Sequence, residues 1–206
     1  MLINIQRPGQ IDFGAALKMQ KELVAKRAVD EIPDTLLLLE HPHTYTVGND
    51  GHREQLRLSY KEMEQLGIAY YEVDRSGGVT YHGPGQLLCY PILNLDQTHY
   101  DYHHYRHMLE DVILRVLSGF NIHAFRQRSR RGIWVFTNPP SDPADEWNEF
   151  RNEPARIGNV GIRIDDRQIT SHGFSINVNP DFAYFDWIIP DGIGDFNVTS
   201  LHQVLN

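Results

Sequence analysis

The sequence has a single cysteine, Cys89, among 206 residues. One thiol excludes an internal disulfide framework and any cysteine-cluster zinc site. Positive charge is also scarce: 19 Lys and Arg stand against 27 Asp and Glu, a net charge of −8. A general nucleic-acid binder needs a basic face to neutralise phosphates, so no nucleic-acid partner is expected. No run approaches the roughly 18 apolar residues that span a bilayer, so no membrane partner is expected either. The opening residues, Met1-Leu2-Ile3-Asn4-Ile5-Gln6-Arg7, show no basic region followed by a long apolar stretch, as a secretory signal would. The expectation is a soluble, cytoplasmic chain. What is present is an ordinary globular composition, 41% hydrophobic and 22% charged, which argues against disorder. The length suits one domain over residues 1–206.

Apolar spacing predicts helices over 11–27 and 101–118, with a short one from Ser59 to Gln65. In the 101–118 helix, Tyr105, Met108, Leu109, Val112, Ile113, Val116 and Leu117 form one expected core-facing stripe. Thr199 or Ser200 can cap a last helix over 201–205. The run Thr35-Leu36-Leu37-Leu38-Leu39-Glu40 reads as a strand buried on both faces. Other strands are expected at 2–6, 68–73, 79–81, 87–95, 122–125, 132–136, 157–164 and 169–178. Pro42 and Gly48-Asn49-Asp50-Gly51 read as loop. Residues 137–154, rich in Pro, Asn, Asp and Glu, read as a surface-loop insertion. Helices and strands mix without strict alternation, which predicts an α+β fold with a mixed sheet packed by helices.

The densest chemistry lies in Arg75-Ser76-Gly77-Gly78-Val79-Thr80-Tyr81-His82-Gly83-Pro84-Gly85-Gln86-Leu87. Glycines let backbone approach a ligand closely, and bare N–H groups in such turns hold carboxylates, carbonyls or phosphates. The plainer reading is a tight connection whose glycines only permit bends. The segment is not a Walker loop, lacking Gly-Lys-Ser/Thr, nor a dinucleotide fingerprint. His99, His103 and His107, and the pair His41 and His43, lack a completing His-Glu-x-x-His pattern, so they read as solvated polar residues and no metal site is expected. Arg126, Arg128, Arg130 and Arg131 form a basic run, either a solvated turn or a patch that steers an acidic partner.

The 75–87 segment with Tyr90-Pro91-Ile92 resembles the signature of the lipoyl(octanoyl) transferase family, the lipoate–protein ligase B type. Leu36 to Pro42, Thr44 to Gly48, Gly132-Ile133-Trp134-Val135, Ile157 to Arg163, Ser171 to Asn179, Ile189-Pro190 and Val198 to Leu201 follow in family order, across about residues 2–205. The resemblance implies a fold like the biotin and lipoate ligase catalytic domains and needs no cofactor. It implies transfer of an octanoyl or lipoyl group from acyl carrier protein to a lysine of a lipoyl domain. Acceptors in that family are the lipoyl domains of 2-oxoacid dehydrogenases and the glycine cleavage H protein. It implies a substrate pocket drawn from Arg75, Gly77, Gly78, Tyr81, His82, Gly83, Gly85, Gln86, Gly158, Asn159, Val160, Gly161, His172, Gly173 and Gly192.

Two positions depart from the family. Its lysine is replaced by Arg156, and its nucleophilic cysteine, in a Pro-Cys-Gly turn, by Asp191 of Pro190-Asp191-Gly192. A thiolate attacks a thioester readily, whereas carboxylate attack makes a high-energy anhydride. Arginine stays protonated and cannot act as a base. Three readings follow: direct transfer with Asp191 and Arg156 as the catalytic pair, a catalytically inactive octanoyl- or lipoyl-binding homologue, or Cys89 as a substitute nucleophile.

Overall fold

The computed structural model describes residues 2–96, 98, 100–137, 153–190 and 196–206. In chain order the elements are β1 (Ile3–Gln10), α1 (Phe13–Ala28), β2 (Asp34–Glu40), β3 (Thr44–Val47), α2 (Tyr60–Gln65), β4 (Ala69–Glu72) and β5 (Val79–His82). Then come β6 (Gln86–Ile92), α3 (Tyr102–Ser118), β7 (Ala124–Arg126), β8 (Ile133–Val135), β9 (Ala155–Ile164), β10 (Thr170–Asn177) and α4 (Leu201–Leu205). The fold is α+β. A seven-stranded mixed sheet has the order β1-β2-β6-β10-β9-β8-β7, and a three-stranded sheet the order β4-β3-β5. Of the proposed 137–154 insertion, residues 138–152 lie outside the described part, as do Asp191 and Gly192.

The apolar run of β2 is buried from both sides. Leu37 and Leu39 pack with Ala16 and Leu23 of α1, while Leu36 and Leu38 turn toward α3. Strand β6 divides the same way, Leu88 and Tyr90 facing α1 and Cys89 facing α3. Alternation by twos thus gives the large sheet two covered faces. One carries α3. The other carries α1, and the small sheet joins that face through Ser76, which exchanges hydrogen bonds with Ile162 (Ser76 N–H to Ile162 O at 2.9 Å, Ile162 N–H to Ser76 Oγ at 3.1 Å).

Helix starts follow the capping chemistry. Asp12, Ser59, Asp101 and Ser200 each accept a backbone N–H two or three residues into the following turn. The α3 stripe is narrower than the sequence suggested. Tyr105, Leu109, Ile113 and Leu117 are buried, but Met108, Val112 and Val116 are each about 40% exposed (41%, 43% and 40%). Each precedes a buried residue by one position, about 100° around the helix, and so falls at the edge of the contact with the sheet. Strand β3 lies between Pro42 and Gly48, where no strand was expected. Its four residues are all buried, Tyr45 completely.

The turn between β5 and β6 is the tightest packed. A Cβ on Gly85 would lie 2.2 Å from the Asn179 carbonyl oxygen, and its φ of +81° is one that other residues adopt at a cost. Gly85→Ala is expected to lower stability by roughly 3 kcal/mol, a fall in melting temperature of roughly 6–12 °C, read by thermal denaturation. A variant within a degree or two of wild type would contradict this packing.

Candidate functional site

Where α1 and the small sheet meet over the large sheet, a narrow cavity remains. About 30 Å3 of it is open to the centre of a water molecule. Phe13 of α1, Arg75, Thr80 and His82 of the small-sheet side, Leu88 and Tyr90 of β6, and the run from His172 to Ser175 of β10 line it, with Asn159 and Gly161 of β9. Of the residues proposed from sequence, Arg75, His82, Asn159, Gly161, His172 and Gly173 therefore come together.

Arg75 is buried and held almost entirely by carbonyl oxygens. Its Nη2 donates to Thr46 O (3.0 Å), Thr46 Oγ1 (2.8 Å) and Gly78 O (2.9 Å), and its Nη1 to Ser76 O (3.0 Å). The guanidinium closes the Ser76–Gly78 turn against β3. Gly161 faces this clamp directly: a Cβ there would meet Arg75 Cδ and Ser76 O at 3.0 Å. The glycines at 77 and 78 serve the same turn, with Gly77 N–H donating to Asp50 Oδ2 at 3.0 Å.

His82 is fixed by a chain of side-chain amides. Asn177 Nδ2 donates to Thr199 O (3.0 Å), and Gln86 Nε2 donates to Asn177 Oδ1 (2.9 Å). Gln86 Oε1 is thereby left as an acceptor, so His82 Nδ1 must carry the proton that reaches it at 2.8 Å. His82 Nε2 then accepts from the Thr46 hydroxyl at 3.5 Å. The chain continues through Thr199 N–H to the Arg156 carbonyl at 3.0 Å. His41 is set in the same tautomer, donating from Nδ1 to Ile11 O at 2.7 Å and accepting from Tyr90 O–H at 2.8 Å. Both rings are neutral, because burial drives their pKa values below the ordinary 6.5.

His172 stands differently. It has a φ of +56°, rare for a residue with a side chain. Its N–H donates to Gln20 Oε1 (2.8 Å), and its Nε2 lies 3.0 Å from Asp74 Oδ1. That hydrogen bond, with Arg163 at 2.8 Å, draws the Asp74 carboxyl down to about 2. Burial outweighs the carboxylate on the histidine side, and the His172 pKa is lowered.

Arg156 is not part of the cavity lining and lies three residues before Asn159 on β9. Strand β8 pairs Trp134 with Arg156 and Ile133 with Gly158, skipping Ile157. This bulge turns two consecutive residues toward α3: Ile157 joins that core, and a Cβ on Gly158 would touch Ile113. Arg156 and Asn159 are left on the opposite face. The Arg156 guanidinium lies 4.4 Å from the Phe196 ring centre, and the Arg156 backbone N–H donates to Asn197 O at 2.8 Å. Phe196 and Asn197 are therefore anchored on Arg156. Asn159 Oδ1 is buried and has no partner among the described residues.

Other sequence candidates lie elsewhere. Tyr81 is buried in the small-sheet core, its hydroxyl 2.8 Å from His43 Nδ1 and 1.8 Å from where a Gly83 Cβ would be. Val160 faces α3. Cys89 also faces α3, and burial pushes its thiol up to about 12, which removes it as a nucleophile. The basic run is partly neutralised, Arg126 by Glu110 and Asp111 and Arg131 by Asp50. Sequence reasoning missed Phe13, Gln20, Thr46 and Asp74. Gln20 carried a signal, a polar residue on the apolar stripe of α1.

Solved structures show the fold first. P. falciparum LipL1 in complex with lipoate aligns with a TM-score of 0.66 at 13% identity, covering 98% of this chain and 56% of that one. The present chain thus spans little more than half of that protein. A bi-partite lipoate protein ligase from Thermoplasma acidophilum aligns with a TM-score of 0.59 at 13% identity, covering 90% of this chain and 64% of the other. The architecture is that of a lipoate-ligase-like catalytic domain. The chain belongs to the lipoyl protein ligase A/B catalytic domain family, matched over residues 12–206. Among its relatives, the octanoyltransferase of Chloroflexus aurantiacus is 40% identical over 97% of this chain and 82% of its own length. That of Rubrobacter xylanophilus is 39% identical over 98% and 84%.

The four histidines His41, His43, His82 and His172 all have lowered pKa values. The unfolded chain takes up these protons near pH 6.5, whereas the folded chain resists them to lower pH, so acid favours unfolding. Asp74 acts in the same direction, its contribution present above the unfolded carboxyl range and lost as pH falls toward 2. Stability is expected to drop from pH 7 to pH 5, with a limiting slope of about 1.4 kcal/mol per pH unit for each histidine. His82→Gln should flatten that slope in urea titrations at several pH values; an identical slope would mean that His82 is not among the protons involved.

Proposed function

We propose that this protein transfers an octanoyl group, or its lipoyl counterpart, from acyl carrier protein to a lysine of a lipoyl domain. Its acceptors would be those of 2-oxoacid dehydrogenases or the glycine cleavage H protein. The observation that carries this reading is the likeness to octanoyltransferases over nearly the whole chain, joined to a cavity at the seam of the two sheets. Its small volume favours a slim, unbranched acyl tail over a bulky ligand. The unpartnered Asn159 Oδ1 at its wall is an acceptor for the N–H of the incoming lysine amine.

The route differs from one through a cysteine. The lysine nitrogen of the acceptor attacks the thioester carbon directly. Arg156, always protonated, stabilises the negative charge that develops on the carbonyl oxygen. Asp191 takes the proton released by the amine. The C–S bond breaks, the proton passes from Asp191 to the departing thiolate, and an amide and a free carrier thiol result. No group becomes attached to the protein. The basic run leads into Gly132, which packs on the Arg156 side chain, and so brings positive charge to the mouth of the site for an acidic carrier.

The replaced lysine and cysteine favour one other reading, a homologue that binds the acyl chain without moving it. Incubation with octanoyl-acyl carrier protein and a lipoyl domain, followed by intact mass measurement of all three proteins, separates the two. The expected result is an octanoyl gain on the lipoyl domain and none on this protein. Arg156→Met and Asp191→Asn should each slow that gain by roughly 10²–10³-fold, and Cys89→Ser should leave it unchanged. Octanoate binding with no gain on the acceptor would establish the binding homologue instead.

A further inference from the structure

The narrow cavity has a larger neighbour. A cleft of about 280 Å3, by the same measure, lies between α1 and the β9–β10 hairpin. Leu17 and Val24 are its apolar residues, and Lys21, Asp74, Arg163, Asp165 and Arg167 make the rest of its lining largely charged. One residue belongs to the lining of both spaces, His172. The two spaces adjoin at this residue.

We propose that His172 is the length stop of the acyl site, and that the cleft behind it is space closed to longer acyl chains. This rests on the acyl reading above. Strand β9 sets the direction of the chain. Arg156 stands at one end and Arg163 at the other, and the cavity meets the strand between them at Asn159 and Gly161. A thioester head near Arg156 and Asn159 sends its tail toward Ile162, the partner of His172 across the ladder. Three residues of strand separate Asn159 from Ile162, about 10 Å. That is on the order of an extended eight-carbon chain, so the tail ends against the ring.

The backbone supports this assignment. A left-handed residue within a strand is costly unless it is glycine, and glycine would take the same conformation freely. What the position gains from histidine is therefore the ring. The ring is held across the gap by Asp74 at 3.0 Å and by the edge of Tyr90, whose ring centre lies 6.4 Å away, while Gln20 holds the His172 N–H. Asp74 has a second partner in Arg163 at 2.8 Å. Removing the imidazole leaves that carboxylate paired, so a smaller residue at 172 joins the two spaces without stranding a charge.

The test measures binding of straight-chain fatty acids of six to fourteen carbons by calorimetry. Three proteins are compared: wild type, His172→Gly, and His172→Gly combined with Leu17→Trp, which refills the cleft. Wild-type affinity should be greatest near eight carbons and fall beyond. His172→Gly should gain about tenfold or more for twelve carbons and longer, and Leu17→Trp should remove that gain. The melting temperature of His172→Gly should equal or exceed that of wild type, since the strain is relieved. His172→Asn, which tolerates the left-handed region, repeats the measurement should the glycine variant not fold. An unchanged cut-off in a folded variant overturns the length stop alone, as does a gain that survives Leu17→Trp. Wild type that binds none of the acids overturns the acyl reading and the length stop together.

Discussion

The guanidinium of Arg75 is the contact on which the site depends. It is a buried charge met by the carbonyl dipoles of Thr46, Ser76 and Gly78. Charged hydrogen bonds of this kind contribute more than neutral ones, and a buried donor left unmet is expensive. The arrangement is therefore stable only when the Ser76–Gly78 turn is folded back on β3. That same fold brings Ser76 within reach of Ile162 and lays Arg75 Cδ against Gly161. The small sheet thus meets the large one at the place where the side chain of residue 161 is missing. The cavity is the space left beside that contact.

Around the cavity, orientation is set by groups that have one way to satisfy each other. The amide of Asn177 is fixed by a carbonyl that only accepts, and it fixes Gln86, which fixes the proton on His82. The result is a polar wall with no net charge. Along this chain the hydrogen-bonding groups are engaged with one another, so the polar features left in the lining are the Asn159 Oδ1 and the Arg75 charge. His82, read from sequence as a candidate pocket residue, does line the cavity. Its two ring nitrogens are occupied by Gln86 and Thr46, which makes it part of the wall's structure.

Much of the fold could be read from pattern, because burial follows period. The Leu36–Leu39 run, the capping residues Ser59 and Ser200 and the helix of 102–118 all act through nearest neighbours. Strand β3 escaped because Thr44 and Thr46 look polar, yet Thr46 is buried to receive Arg75, some thirty residues away. The exposed Met108, Val112 and Val116 escaped because composition marks a residue as apolar without giving the width of the face that covers it. At the site, motif residues such as Arg75 and Asn159 were legible, but the partners that give them meaning were not. Asp74 and Gln20 reach His172 across separations of 98 and 152 residues, and no local pattern encodes such pairs.

The replacement at 156 is most informative when set against its surroundings. The bulge at Ile157 turns the side chain away from α3, and Gly132 makes room for it, its α-carbon so close that a Cβ there would lie 2.7 Å from Arg156 Cδ. The site is thus shaped to a long cationic side chain lying flat over Phe196. A lysine in this position can lose its proton when desolvated and then serve as a base; an arginine keeps its charge and its planar set of donors under the same desolvation. The exchange therefore removes proton transfer from position 156 and strengthens electrostatic stabilisation there. The proposed route therefore takes its proton acceptor from elsewhere, the carboxylate at position 191, a poor nucleophile toward a thioester and an effective acceptor for the proton of an attacking amine. On the proposed route the two positions act as a pair, the arginine holding the charge on the thioester oxygen and the carboxylate taking the proton of the attacking amine.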